Sequence, residues 1–133
     1  MNLEREIELL KYQNHLLKTI INGDEFPFFM FALDHNLNEK QVNAVLEILS
    51  IFSYRLSEDK DFKEYKEDKA KEKFKEFDIS IERILKDERP TREEFEGYKS
   101  KILPASAESK YLLMSLQRQH IQPDVCGFLL QDT

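Results

Sequence analysis

The apolar positions at the start of the chain recur at alternating intervals of four and three residues. They form one seam with leucine at the d positions and isoleucine or asparagine at the a positions: Leu3, Ile7, Leu10, Asn14, Leu17 and Ile21. This spacing is typical of a helix that packs against another helix as a coiled coil. Leu9, Leu16 and Ile20 widen the apolar surface, so the helix is expected to need more than one neighbour. Asn22 and Gly23 predict its end.

The polar residue in this seam favours self-association. An asparagine at an a position of a coiled coil usually faces its equivalent, and the two amides hydrogen-bond across the axis. Within a single subunit, Asn14 would instead need a backbone partner or water in the middle of an apolar stripe. The seam therefore predicts a homo-oligomer, a dimer before a trimer, with the first helices in contact. The alternative is that this helix packs only within its own subunit.

Residues 27–56 predict a helix, a tight turn and a second helix. Pro27 suits the first turn of a helix, and Asn36 ends the apolar run that follows. Asn38 and Gln41 have the spacing of a capping box. The second helix repeats its apolar residues at helical intervals: Val42, Val45, Leu46, Leu49, Phe52 and Leu56.

Residues 57–88 differ sharply in composition, since 21 of these 32 residues are charged, 12 acidic and nine basic. The signs alternate, and apolar residues are sparse. The pattern predicts a long, solvated helix with a thin apolar stripe and a candidate break near Asp78. We expect its first part, 57–75, to add little to the stability of the flanking hairpins.

The remaining chain predicts three further helices. The first begins at Thr91 and Glu94, which have capping-box spacing, and ends at Pro104. Ser106 or Ser109 is expected to cap the second, and Pro123 begins the third. Residues 1–133 thus read as one all-α domain of about six or seven helices. It has an N-terminal coiled-coil-like helix and two helical hairpins joined by the charged connector 57–88.

A weak internal repeat relates the two hairpins at an offset of 84 residues. Phe28-Phe29-Met30 falls on Leu112-Leu113-Met114, and Val45-Leu46 falls on Leu129-Leu130. Two unrelated amphipathic hairpins would match each other equally well, so the similarity does not require a duplication. A true repeat would instead mean two hairpins packed around a common core.

The strings LEREIELLKYQNHLLKTI and FPFFMFALDHNLNEKQVNAVLEILSIFSYRL carry a family resemblance, which residues Phe95, Tyr98, Leu103, Leu113, Leu116, Gln119 and Ile121 extend. Together, residues 2–56 and 92–130 resemble the YhaI-like family of small proteins of unknown function from Gram-positive bacteria. The connector is longer than the joining segment of that family, and His120 stands where a glycine following glutamine would be typical. The resemblance implies a compact, self-associating all-α fold, and it supplies no activity.

Composition narrows the function classes further. The net charge of −6 disfavours binding to nucleic acid and anionic lipid. A single cysteine excludes an intramolecular disulfide and a Cys-rich zinc site, and three isolated glycines make a phosphate cradle improbable. No apolar run approaches a membrane span, and the acidic N-terminus lacks the basic region of a signal peptide. We expect a cytoplasmic protein without cofactor, metal or membrane contact.

No motif predicts catalysis. His15, His35, His120 and Cys126 lack metal-ligand spacing, and a buried structural thiol is a better interpretation of Cys126 than a Cys–His nucleophile. The capping interpretation is likewise better for Asp24-Glu25 and Asp34-His35 than a carboxylate site.

The Phe-rich segment is the other candidate surface, since Phe26, Phe28, Phe29 and Phe31 cannot all face one core. Phe28 and Phe31 share a helix face, and Phe29 points away from them. We therefore expect an oligomeric module for protein–protein interaction or regulation, which would bind a protein partner through the Phe-rich hairpin or the charged helix. One alternative is a nucleic-acid-binding regulator that uses the helix-turn-helix-like segment 26–49, and another is a small enzyme of unrecognised type.

Overall fold

The computed structural model describes residues 2–21, 24–57 and 67–132, and these residues form helices and no strands. The helices are α1 (Leu3–Ile20), α2 (Pro27–Asp34), α3 (Glu39–Leu56), α4 (Glu67–Phe74), α5 (Ile81–Ile84), α6 (Arg92–Ile102), α7 (Ser109–Arg118) and α8 (Pro123–Gln131). The all-α class is confirmed. The eight helices of the described residues exceed the expected six or seven, because the charged connector contains two. None of them is both long enough and apolar enough to cross a bilayer.

The core is built around α3. This helix begins at the expected capping box, in which Asn38 accepts from the Gln41 N–H while the Gln41 side chain accepts from the Asn38 N–H. Ile48, Leu49 and Phe52 are fully buried, and α4, α6 and α8 pack around the helix. A helix covered on so many sides contributes much of the buried apolar area that stabilises a domain of this size.

The two hairpins pack together, α2 against α7 and α3 against α8, and the first helix of each ends in the same way, although the residues that precede the second helices differ, extended Asn38 and left-handed Gln122. Asn36 (φ 54°) and His120 (φ 63°), 84 positions apart, both lie in the left-handed region. The N–H of Leu37 donates to Ala32 and that of Ile121 donates to Leu116, both at 2.9 Å, as in a Schellman motif. A Schellman turn is a common helix end, so ordinary hairpins would share it as readily as a duplicated pair.

The connector is not a continuous solvated helix. Asp78 has φ 53° and separates α4 from α5, so the expected break is present. The sparse apolar stripe is buried: Ala70 and Phe74 of α4 lie in the core cluster with Ile81 and Ile84 of α5. This burial argues against the expectation that 57–75 adds little to stability, because widely spaced apolar residues still fill core volume when a helix packs on α3. Residues 58–66 of this segment lie outside the described residues.

A buried ion pair ties α3 to α6. The guanidinium of Arg55 is fully buried and makes two bonds to the Glu94 carboxylate, at 2.6 and 2.8 Å. It also donates to the carbonyls of Ile84 and Glu88 and lies over the Phe52 ring. Thr91 caps α6 as expected, but the Glu94 side chain serves this ion pair and the expected capping box is incomplete.

Two expected helix ends differ in detail. Glu108 occupies the N-cap position of α7 without a side-chain hydrogen bond, and Ser109 is already the first helical residue, so neither Ser106 nor Ser109 caps this helix. Asn22 and Gly23, the expected end of the first helix, lie outside the described residues.

Candidate interaction surface

Helix α1 lies outside the core and buries none of its residues. Asn2 caps its start by accepting from the Arg5 N–H, and Glu4 and Glu6 are placed favourably at the positive end of the helix dipole. Of the seam, Leu3, Ile7, Leu10, Asn14 and Leu17 are exposed, and Ile21 is half-buried. Leu10 and Leu17 remain 58% and 56% exposed, which leaves most of their apolar surface in water. Such a helix is marginal by itself.

The contact between α1 and its own subunit is polar on the α1 side. A groove runs between α1 and α2. One of its walls is formed by four polar residues of α1, spaced about one turn apart: Lys11, Asn14, His15 and Lys18. The other wall includes Phe29, Ala32 and Leu33 of α2. Lys18 lies 3.6 Å from Asp34. The groove therefore lies on the polar side of α1 and includes the seam residue Asn14, while the seam leucines Leu3, Leu10 and Leu17 stay exposed.

Of the four phenylalanines of the second candidate surface, two are buried and two are exposed. Phe28 and Phe31 are buried in the core, whereas Phe26 and Phe29 are exposed. The rings of Phe26 and Phe29 stack with centroids 6.0 Å apart and planes 9° apart. Because Phe28 and Phe31 are filled positions of the subunit's own core, only Phe26 and Phe29 of this set can meet a partner.

Gln119, to which the sequence assigned no role beyond the family resemblance, holds this segment in place. Gln119 Oε1 accepts from the backbone N–H of Phe28 at 2.8 Å and of Phe29 at 3.1 Å. Phe26 occupies the N-cap position of α2 and makes no side-chain cap, so Gln119 satisfies free N–H groups of this helix end from across the hairpins. No local sequence signal links residues so far apart.

The candidate chemical groups remain scattered. Among the described residues, no group of three or more His, Cys, Asp and Glu side chains could hold a metal ion. Cys126 is buried beside the Ile121 carbonyl, with Sγ–O 3.7 Å, and burial raises the pKa of its thiol to about 12. His120 is exposed, and His35 packs its ring on Phe31 at 4.3 Å. The Cys126 thiol is therefore protonated at neutral pH and a poor nucleophile.

Helix α3, the recognition helix of the helix-turn-helix alternative, packs into the core. Val45 and Leu49 are buried, as the sequence required of them, and Lys40 near its start bonds Glu76 at 2.6 Å. A helix with this much of its surface packed inside the subunit presents little to a major groove.

Comparison with known proteins gives one match. The family model described as "Protein of unknown function (DUF1878)" matches residues 1–90, which include α1, α2 and the whole candidate surface. No curated protein and no solved structure matches the chain. Since the match spans more than half of the 133 residues, this chain belongs to the DUF1878 family of proteins of unknown function.

Proposed function

We propose that this protein is a self-associating interaction module whose subunits join through α1 as a parallel coiled coil. The observation that carries the proposal is that α1 buries none of its residues within the subunit, although its seam repeats leucine and isoleucine over its whole length. Covering the seam would stabilise the assembly by roughly 25 cal/mol for each Å² of apolar surface removed from water.

The composition of the seam supports a dimer before a trimer. Isoleucine at a with leucine at d favours two strands in parallel coiled coils, and one asparagine at a fixes register. Ile7 and Ile21 are at a with Asn14 between them, and Leu3, Leu10 and Leu17 are at d. Exposed Asn14 is then positioned to pair with its equivalent in the second copy.

Charge complementarity supports the parallel orientation. Glu6 lies at a g position and Lys11 at the following e position. In a parallel, in-register pair, these two positions meet across the seam on both sides and carry opposite charges. An antiparallel pair would instead place g positions opposite g positions and e positions opposite e positions, so this Glu6–Lys11 pairing would be lost.

The resemblance to YhaI-like proteins agrees with this proposal, since it implies a self-associating all-α fold. A regulatory role would follow if the exposed Phe26–Phe29 pair bound a protein partner. The cytoplasmic location expected from the sequence stays a prediction that cell fractionation tests.

Leu10→Asp tests the proposal, because it places an unpaired charge in the seam. We expect this variant to be monomeric in sedimentation velocity at concentrations where the parent associates. Tyr12→Asp is the matched control: Tyr12 is an exposed residue of the same helix, two positions from the seam, and its change should leave the mass unchanged. Equal masses of the parent and the Leu10→Asp variant would refute the proposal.

Asn14→Leu tests the role assigned to the asparagine. Removing the polar a residue should keep or strengthen association and loosen its stoichiometry, since larger assemblies no longer bury an unpaired amide. A monomeric Asn14→Leu variant would contradict a seam contact at this position.

A further inference from the structure

The apolar surface of α1 consists of two separate stripes. The seam is one of them. The other is formed by Leu9, Leu16 and Ile20, which are also exposed, Ile20 at 77%. At about 100° of rotation for each residue, the second stripe is centred roughly 120° around the helix from the seam. One helix partner covers one stripe, so a coiled coil through the seam leaves Leu9, Leu16 and Ile20 uncovered.

The subunit's own body lies on a third side of α1. The residues that share a groove with α2 include Lys11 and Lys18 at e positions and His15 at b. Leu9 and Leu16 at c and Ile20 at g lie on the far side of the helix from these residues. The second stripe therefore faces away from the α2 of its own chain.

Helix α2 carries an apolar patch that its own chain leaves open. Phe26, Phe29 and Leu33 are 42%, 51% and 36% exposed, and Phe29 and Leu33 also line the groove beside α1. Gln119 fixes the start of α2 through the Phe28 and Phe29 N–H groups, so this patch is held on a positioned helix end. We call Phe26, Phe29 and Leu33 the α2 patch.

Parallel coiled-coil geometry brings these two orphan surfaces together. In such a pair, the g side of one helix runs alongside the e side of the other. The c/g side of α1 carries Leu9, Leu16 and Ile20, and the e side carries the body of its own subunit. The second stripe of one copy thus approaches the body of the other copy on the side where the α2 patch is exposed. The opposite charges of Glu6 and Lys11, which meet across the same g–e boundary, favour this approach.

We infer that Leu9, Leu16 and Ile20 of one copy pack on the α2 patch of a second copy. This inference rests on the proposed self-association through α1 and adds a second contact to it. In each copy, the second stripe packs on the α2 patch of a neighbour, and the α2 patch is covered by the second stripe of a neighbour. Rotational symmetry therefore closes the assembly, and both surfaces are buried in a dimer or a trimer. Phe26 and Phe29 are then subunit contacts and not the binding site for a different protein.

Disulfide trapping tests the contact. One preparation carries Leu16→Cys and an affinity tag, and a second, untagged preparation carries Phe29→Cys. After mixing and mild oxidation, we expect a disulfide-linked pair that contains one tagged and one untagged chain. The native Cys126 is buried, and parallel trapping of the parent chain measures its contribution. Glu82→Cys is the matched control for Phe29→Cys, because Glu82 is exposed and lines a different cleft, with Tyr98 and Lys101.

The outcomes separate this inference from the proposed function. One outcome is that the parent chain associates while the Leu16→Cys chain forms disulfides with the Phe29→Cys chain no more often than with the Glu82→Cys chain. That result would overturn the inference and would leave the proposed coiled coil intact. A monomeric parent would overturn both. A Leu16→Cys/Phe29→Cys double variant that closes a disulfide within a monomer would also overturn the inference, since the stripe would then reach its own α2.

Affinities provide a second readout that does not depend on oxidation. Leu16→Ala and Phe29→Ala should each raise the dimer Kd by roughly tenfold or more, and the double variant should raise it by less than the product of the two effects. Glu82→Ala should leave it unchanged. Strictly multiplicative effects of Leu16→Ala and Phe29→Ala would contradict direct contact. Circular dichroism melting of each variant verifies that the monomer fold is intact.

Discussion

Two residues of this protein adopt the left-handed backbone conformation at equivalent turns, and they differ in how well they tolerate it. Asn36 belongs to a residue type that visits this region routinely, whereas His120 does so at greater cost. The φ of His120, 63°, is one that glycine adopts without a steric penalty.

Glycine at this turn should therefore stabilise the protein. We expect His120→Gly to raise the free energy of unfolding by about 0.5–1 kcal/mol, because relief of backbone strain exceeds the added entropy of the unfolded chain. Asn36→Gly, the matched control, should change it by less than about 0.5 kcal/mol. Urea denaturation measures both, and a destabilised His120→Gly variant would show that the His120 side chain contributes more than its backbone costs.

The buried thiol makes stability depend on pH in the alkaline range. Burial raises the pKa of Cys126 to about 12 in the folded state, from 9.0. The folded protein holds this proton where the unfolded chain loses it, so the stabilisation is complete below pH 9 and is lost as pH rises toward 12. Burial and the nearby Glu94 carboxylate also raise the pKa of Tyr98, from 10.0 to about 12, so Tyr98 adds to the loss above pH 10.

Between pH 9 and 10, the free energy of unfolding should fall with a slope approaching about 1.4 kcal/mol per pH unit for the one thiol. Cys126→Ala lowers stability at every pH by leaving a cavity, but its slope should be close to flat near pH 9 and shallower than that of the parent up to pH 10, where Tyr98 begins to contribute. Urea denaturation under reducing conditions at several pH values checks the slope. Parallel curves for parent and variant would show that Cys126 does not carry this pH dependence.

At the scale of elements, the sequence predicted helices well wherever local signals decide them. The Asn38–Gln41 capping box, Pro27 and Pro123 all stand where the pattern placed them. The charged connector differs from its predicted form, a solvated helix, which is what oppositely charged residues at i,i+4 indicate. The burial of Ala70 and Phe74 depends instead on packing against α3, which is distant in sequence. Tertiary packing overrides local pattern in such segments.

The connector helix is therefore expected to carry real stability. Phe74→Ala should lower the free energy of unfolding by about 3–5 kcal/mol, the usual cost of deleting a buried phenyl group. Lys75→Ala, the exposed neighbour, should stay within about 0.5 kcal/mol of the parent. Similar small effects of both substitutions would restore the view that α4 is a dispensable surface helix.

Capping of α2 by Gln119 gives a second prediction at this scale. Gln119→Ala removes the acceptor of two backbone N–H groups and should cost about 1–2 kcal/mol in thermal or urea unfolding. Gln119→Glu keeps an acceptor and adds a negative charge at the positive end of the helix dipole, so it should remain within about 0.5 kcal/mol of the parent at neutral pH. An equal loss in both variants would show that the amide acts through packing and not as a cap.

At the scale of the whole molecule, the subunit is a packed set of hairpins with one helix left outside. The heptad pattern predicted a helix and its seam, and the structure places α1 where that seam is exposed. The helical spacing predicted that Phe28 and Phe31 share one face and that Phe29 points away, and the burial of the first two agrees with it. Sequence alone could not say which of these faces is buried, because that is set by where α2 meets the core. Nor could it place Leu9, Leu16 and Ile20, since their role depends on which side of α1 the subunit occupies.

The most direct test of this account is the mass of the unmodified chain in solution. Sedimentation equilibrium from low to high micromolar concentration should give a mass that rises to a whole-number multiple of 15.9 kDa, twofold before threefold. The exposed seam of α1 predicts this result, because most of the surface of its leucines has no cover within the subunit. A mass of 15.9 kDa that persists at high micromolar concentration would contradict the account.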